Sequence, residues 1–270
     1  NKIATVKAVI NSAASLNKFF NKNQFRISII DAVNEWKDFE DEIKEKKIEL
    51  IVLNNDSYFN SFKKDGFVRS RFAYLYVFFK SFFPLIRVLK EKKPDYFIIH
   101  LITSLPLFLF TFKNFHSKLI LRISGLPKMT FFRKLLWKLA VKNIYKITCP
   151  TLATYKNLSK FEFLKEKLCV LSDPILNIDE IQKIKNKKVI INEDIKQIIS
   201  NKKYLLSVGR FTKQKNYLFY LNCIPEILKL DDELYFLFIG QGEDKKKFLE
   251  ISNKLNVSDK IFIIDHTKNV

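Results

Sequence analysis

Histidine, cysteine, glycine and proline are all scarce in this chain: its 270 residues hold 3, 3, 5 and 7 of them respectively. Each scarcity excludes something. Cys149, Cys169 and Cys223 form no Cys-x-x-Cys pair, so neither a disulfide framework nor a thiolate zinc site is expected, and a reducing cytoplasm fits best. His100, His116 and His266 stand singly and leave little material for a metal cluster; no metal and no organic cofactor is expected. The few glycines form no Gly-x-Gly-x-x-Gly fingerprint and no Walker loop. The longest strongly apolar run, Leu101 to Phe112, is too short to cross a bilayer, and no signal-peptide pattern is visible. Acid is scarce relative to base, 28 Asp and Glu against 48 Lys and Arg, for a formal charge of +20.

What is present is a large apolar inventory, 47% of residues with 27 phenylalanines, enough for real cores in one large or two ordinary domains. The abundance of Lys, Asn, Ile and Phe reads as genome bias, so lysine number by itself is weak evidence of function. The surface nevertheless attracts polyanions, whether nucleic acid, anionic lipid or phosphorylated substrate. The basic residues are dispersed and carry no recognition motif, so nucleic acid is not the expected partner.

The most informative stretch is Lys203 to Asn216, Lys-Tyr-Leu-Leu-Ser-Val-Gly-Arg-Phe-Thr-Lys-Gln-Lys-Asn. Tyr204 to Val208 predicts a strand, Gly209 breaks it, and Tyr217 to Lys229 predicts a helix. A glycine at the carboxyl end of a parallel strand lets a ligand approach the backbone, and the next helix N-terminus favours an anion. Arg210 and Lys215 add two positive charges to that crevice, an arrangement suited to a diphosphate. The alternative is an ordinary surface loop with solvated cations.

Ser207, Val208, Gly209, Arg210, Gln214 and Lys215 match, in order, the Ser-Val-Gly-Arg-Leu-x-x-Gln-Lys opening of the donor domain in retaining glycosyltransferases of family 4, with Phe211 in place of leucine. The chain thus resembles that family, also called glycosyl transferases group 1. The resemblance implies an α/β protein with two Rossmann-like doubly wound domains of the GT-B type, the second incomplete, with the active cleft between them. It also implies transfer of a sugar from a nucleotide diphosphate-sugar to a polysaccharide or lipid-linked acceptor, with retention at the anomeric carbon. Arg210 and Lys215 would then bind the donor diphosphate beside Gly209. Gly240 and Gly242, in Ile-Gly-Gln-Gly after a second predicted strand, match the family's Ile-Gly-x-Gly step beside the nucleotide, and Asp265 and His266 follow the next strand at the same end.

Along the chain, Ile3 to Phe20 predicts a helix, Gln24 to Asp31 a strand, Asp38 to Lys47 a surface helix, and Ile48 to Leu53 a strand. Arg69 to Lys92 predicts a long aromatic helix that Pro84 can kink, packing between layers or touching a membrane. Pro94 to His100 resembles the family's Pro-Asp-x-x-x-x-His segment and places His100 at a strand's carboxyl end, a candidate catalytic position near the transferred sugar; the bland alternative is a structural histidine. Lys118 to Gly125 is another strand and turn, where many relatives carry a histidine; Arg122 and Ser124 stand here instead as acceptor-side candidates, although Arg122 could equally pair with a carboxylate.

Residues 128–146 predict a basic amphipathic helix, suited either to an anionic membrane surface or to ordinary core packing with lysines in solvent. Residues 1–174 are expected as the acceptor-side domain, lysine-rich 175–202 as a linker, and 203–270 as the first part of the donor domain. The resemblance leads one to expect truncation at both ends, before a first strand and before the family's Glu-x7-Glu segment. The expected setting is cytoplasmic, at the inner face of the cytoplasmic membrane. Two other classes stay open: a basic nucleic-acid-binding protein and an inactive, membrane-associated sugar-nucleotide-binding scaffold.

Overall fold

A computed structural model describes residues 3–19, 25–55, 67–100, 103–174, 178–185, 196–197 and 200–265. The chain divides into two compact units, Asn1–Asn177 and Ile178–Val270.

The first unit alternates helices and parallel strands. Its elements are α1 (Ile3–Phe19), β1 (Ser28–Asp31), α2 (Glu40–Glu45), β2 (Glu49–Val52), α3 (Phe67–Lys92), β3 (Tyr96–Ile99), α4 (Ser104–Phe112), β4 (Lys118–Arg122), α5 (Phe131–Ala140), β5 (Ile144–Cys149), α6 (Leu152–Leu158) and β6 (Leu168–Val170). β1 pairs with β2, and β3, β4, β5 and β6 follow one another in a four-stranded parallel sheet. Parallel sheets covered by helices need apolar strands. Leu119 and Leu121 of β4, and Ile144 and Ile147 of β5, are accordingly buried with Leu105, Leu107 and Trp137 from the helices. A separate cluster joins Val6, Val9 and Ile10 of α1 to Ile29, Trp36 and Ile43.

Two elements differ from the sequence expectation. The helix expected over 128–146 ends at Ala140, and after a short 3-10 turn Ile144, Tyr145 and Lys146 enter β5. Ile144 is buried in the sheet, and pairing of β5 with both β4 and β6 outweighs continued helical periodicity. Within the lysine-rich stretch, Ile178–Lys185 forms a further helix, α7, where Ile178, Ile181 and Ile184 recur at helical spacing.

The second unit contains β7 (Tyr204–Val208), α8 (Tyr217–Leu228), β8 (Tyr235–Ile239), α9 (Lys245–Lys254) and β9 (Ile261–Ile264). β8 lies between β7 and β9, all parallel, with Val208 opposite Ile239 and Ile239 opposite Ile264. The central strand is the most buried of the three, with Phe236, Leu237 and Phe238 in the core. An aromatic core forms beneath: Phe211 and Phe238 each meet the other and both Tyr217 and Phe248, at 4.9–6.1 Å between ring centroids. Both units are therefore α/β with parallel, Rossmann-like strand and helix alternation.

Candidate nucleotide-sugar site

The in-register ends of β7 and β8 place Gly209 against Gly240. Gly209 N–H donates to the Ile239 carbonyl at 2.9 Å, Phe211 N–H to Gln241 at 3.0 Å, Asp244 N–H to Phe211 at 2.9 Å, and Gly240 N–H to Ile264 at 2.8 Å. The two loops are thus stitched to each other and to β9. Gly240 has φ +149, and a Cβ there would lie 1.9 Å from the Gly209 carbonyl oxygen; one at Gly242 would lie 2.2 Å from that of Phe211. Only glycine permits this approach. Gly66 and Gly125 are the two glycines outside this double loop, so a chain poor in glycine concentrates it where two backbones meet.

Phe211 is fully buried and anchors the loop in the aromatic core. On either side of it, Arg210 and Lys215 are exposed. The Lys215 stem crosses Gly209, its Cε 3.1 Å from where a glycine Cβ would stand. Three lysines of this unit are held by acids: Lys203 by Asp231, Lys229 by Glu226 and Lys245 by Asp265. Among the described residues, no acid is paired with Arg210 or Lys215. Two uncommitted cations therefore stand beside a glycine-lined backbone and the start of α8, an arrangement suited to a polyphosphate.

Two hydroxyls here escaped the reading of the sequence. Tyr217 Oη and Thr212 Oγ1 are buried with no hydrogen-bond partner, and Tyr217 Oη lies 2.9 Å from the position a Cβ would take at Gly209. Burial pushes the Tyr217 pKa upward, so the phenol stays protonated and can donate. The sequence reading placed Tyr217 only at the start of a helix; the signal was a hydroxyl at a position that apolar packing alone would fill with phenylalanine. Asp265 is occupied by Lys245, and His266 lies outside the described residues.

In the first unit, His100 follows β3 and shares a cavity of about 170 Å³ with Arg122, Ser124, Arg133 and Trp137. The structure therefore brings the three predicted residues of this unit together. Arg122 Nε and Nη2 both donate to Asp173 Oδ1, at 2.8 and 2.7 Å, and Nη1 donates to Ser12 Oγ at 2.9 Å. Arg122 thus ties β4 to α1 and to the segment after β6. Desolvation, reinforced by the Arg122 charge, pushes the His100 pKa down to about 4. His100 is neutral at pH 7 and can accept or donate one hydrogen bond without carrying charge. Ser124 is exposed at the rim.

Residues 190–270 match the family model for glycosyl transferases group 1. This segment contains the double loop, so the family signature and the phosphate-suited geometry coincide. Over 206 residues the chain is 26% identical to a protein of Methanocaldococcus jannaschii, the uncharacterized glycosyltransferase MJ1059, covering 70% of this chain and 50% of that protein. The chain spans about half the length of the curated relative it matches. Among solved structures, Anabaena Alr3699/HepE in complex with UDP superposes with a TM-score of 0.63 at 9% identity, covering 99% of this chain and 66% of that one. UDP-GlcNAc 2-epimerase from Neisseria meningitidis, bound to UDP-GlcNAc, superposes at 0.58 with 13% identity over 98% of this chain and 70% of that one. The fold is the GT-B type, two Rossmann-like α/β units.

Proposed function

We propose that the protein is a retaining glycosyltransferase that takes a sugar from a nucleotide diphosphate-sugar and delivers it to a polysaccharide or lipid-linked acceptor. The observation that carries this reading is the double glycine loop with two uncommitted cations inside the segment that matches the family model. Fold alone would not separate transfer from epimerisation, since a UDP-GlcNAc 2-epimerase shares it; the family match favours transfer.

Cleavage of the sugar–phosphate bond leaves growing negative charge on the diphosphate. Arg210 and Lys215 would neutralise it, and at an effective dielectric near 20 a contact at about 4 Å contributes roughly 4 kcal/mol before desolvation is subtracted. Tyr217 Oη would donate a further hydrogen bond from beneath Gly209. In the retaining reading, a leaving-phosphate oxygen accepts the proton of the acceptor hydroxyl as that hydroxyl attacks on the face the phosphate vacates. This needs no dedicated carboxylate pair. Neutral His100 would bind a sugar hydroxyl. No metal or organic cofactor is required by this scheme.

Uridine is the first base to test, because HepE was solved with UDP. A panel of UDP-, GDP- and ADP-sugars, with release of the nucleoside diphosphate as readout and NMR of the product's anomeric configuration, tests the proposal. Retention, with kcat/KM lowered about a hundredfold or more in Arg210→Ala, is expected. Inversion, or sugar epimerisation without transfer, would contradict it.

A further inference from the structure

The amino-terminal unit carries an apolar face that its own core does not cover. β3, β4 and β5 are parallel neighbours joined through α4 and α5, and right-handed crossovers put both helices on one side of the sheet. α3 joins this layer through its rings: Phe78 and Phe82 meet Phe108 of α4 at 5.9 and 6.3 Å. Inward, α3 buries Ala73, Val77, Leu85 and Leu89. Outward, it exposes Phe79 at 70% and Phe83 at 76%, and α4 exposes Phe112 at 64%. α5 buries Trp137 and Ala140 and exposes Phe131 and Phe132 at 75% and 80%, with Leu135 and Leu139 also outward. An exposed apolar surface of this kind marks an interaction site.

We propose that the outer surface of α3, α4 and α5 docks on an anionic lipid bilayer, lying along it. Charge selects this occupant. Between Asp95 and Glu162 the sequence contains no acidic residue. Arg133, Lys134 and Lys138 sit among the exposed rings of α5, and Lys80, Arg87 and Lys90 are exposed on α3. Aromatic rings entering the acyl boundary, with flanking cations reaching headgroup phosphates, are the physical requirements of an interfacial helix layer. A second copy of this chain would set the same cations against one another, with Glu91 near the carboxyl end of α3 the one acid on these three helices to offset them. By length and composition α3 could cross a membrane, but its inner stripe is packed into the core, so it lies in the interface rather than through it.

Co-sedimentation of the full chain with vesicles of equal parts phosphatidylglycerol and phosphatidylcholine, against pure phosphatidylcholine, tests the proposal. The anionic vesicles should pellet the protein at low salt and release much of it at high salt. Phe79→Ser with Phe83→Ser, or Phe131→Ser with Phe132→Ser, should lower partitioning about tenfold or more, because burying one ring is worth about a factor of ten. These rings are exposed, so thermal unfolding followed by circular dichroism should stay at the parent temperature. Equal pelleting with both vesicle types, no pelleting, or unchanged partitioning of the ring variants would overturn the proposal. So would a solution dimer, seen by sedimentation equilibrium, that the same variants dissociate, since the face would then join two copies.

Discussion

Replacing Gly240 by alanine should destabilise the carboxyl-terminal unit far more than an alanine usually does. The new methyl carbon would lie 1.9 Å from the Gly209 carbonyl oxygen, on a backbone at φ +149, whereas non-bonded carbon contacts are comfortable only beyond about 3.5 Å. The loops must part by more than an ångström. Parting them strains Gly209 N–H to Ile239 at 2.9 Å and Phe211 N–H to Gln241 at 3.0 Å. Backbone strain of about 1–3 kcal/mol and two weakened hydrogen bonds of about 1 kcal/mol each give a cost of about 3–5 kcal/mol. In a domain of this size about 1 kcal/mol moves Tm by roughly 4–8 °C, so the transition of this unit should fall by at least about 12 °C. Gly125→Ala is the control, because no atom lies within 4 Å of a Cβ there. Circular dichroism melting of the three proteins measures both effects. A Gly240→Ala protein melting within a few degrees of the parent would refute the tight apposition of the two loops.

Other outcomes follow from the same geometry. The folded pKa of His100, about 4, lies below its ordinary 6.5, so protonation favours the unfolded chain: the contribution is present above pH 6.5 and lost as pH falls towards 4. The gap is worth up to about 3 kcal/mol, and His100→Gln should flatten urea-unfolding stability across that window; an unchanged pH profile would count against a buried neutral imidazole. Asp173→Asn should cost about 2–4 kcal/mol in the same assay, because it leaves the buried Arg122 guanidinium without its counter-charge; a loss below about 0.5 kcal/mol would show the pair to be incidental. Tyr217→Phe should raise stability slightly by removing an unpartnered buried hydroxyl while weakening nucleotide binding severalfold, and calorimetry showing unchanged affinity would remove Tyr217 from the site.

The sequence made the donor-side loop legible because its signals are local. A β-compatible run, a glycine and a basic turn specify a strand, a close approach and a charge without reference to the rest of the chain. The partner of that close approach was less visible: Gly209 against Gly240 depends on the register of β7 with β8, which no single strand declares. Tyr217 was hidden for a related reason, since periodicity gives the direction of a side chain but not what its hydroxyl meets. α5 shows the same limit from the other side. Its apolar residues ring much of the helix, and only packing decides that Trp137 and Ala140 go inward while Phe131 and Phe132 stay out. The end of that helix was misplaced because Ile144 satisfies either period, and the sheet claims it. Arg122 was legible as a charge at a strand end, but its partner Asp173 lies 51 residues away in sequence.

The diphosphate site is tested most directly by the thermal shift of this chain with UDP, GDP and ADP, in the parent and in Arg210→Ala and Lys215→Ala. A ligand held only by the folded state stabilises by about 2.7 kcal/mol at a hundred times its Kd. One nucleoside diphosphate should raise the melting temperature of the carboxyl-terminal unit, and either substitution should abolish most of that rise. A shift that survives both substitutions, or no shift with any of the three, would contradict a diphosphate site at the double glycine loop.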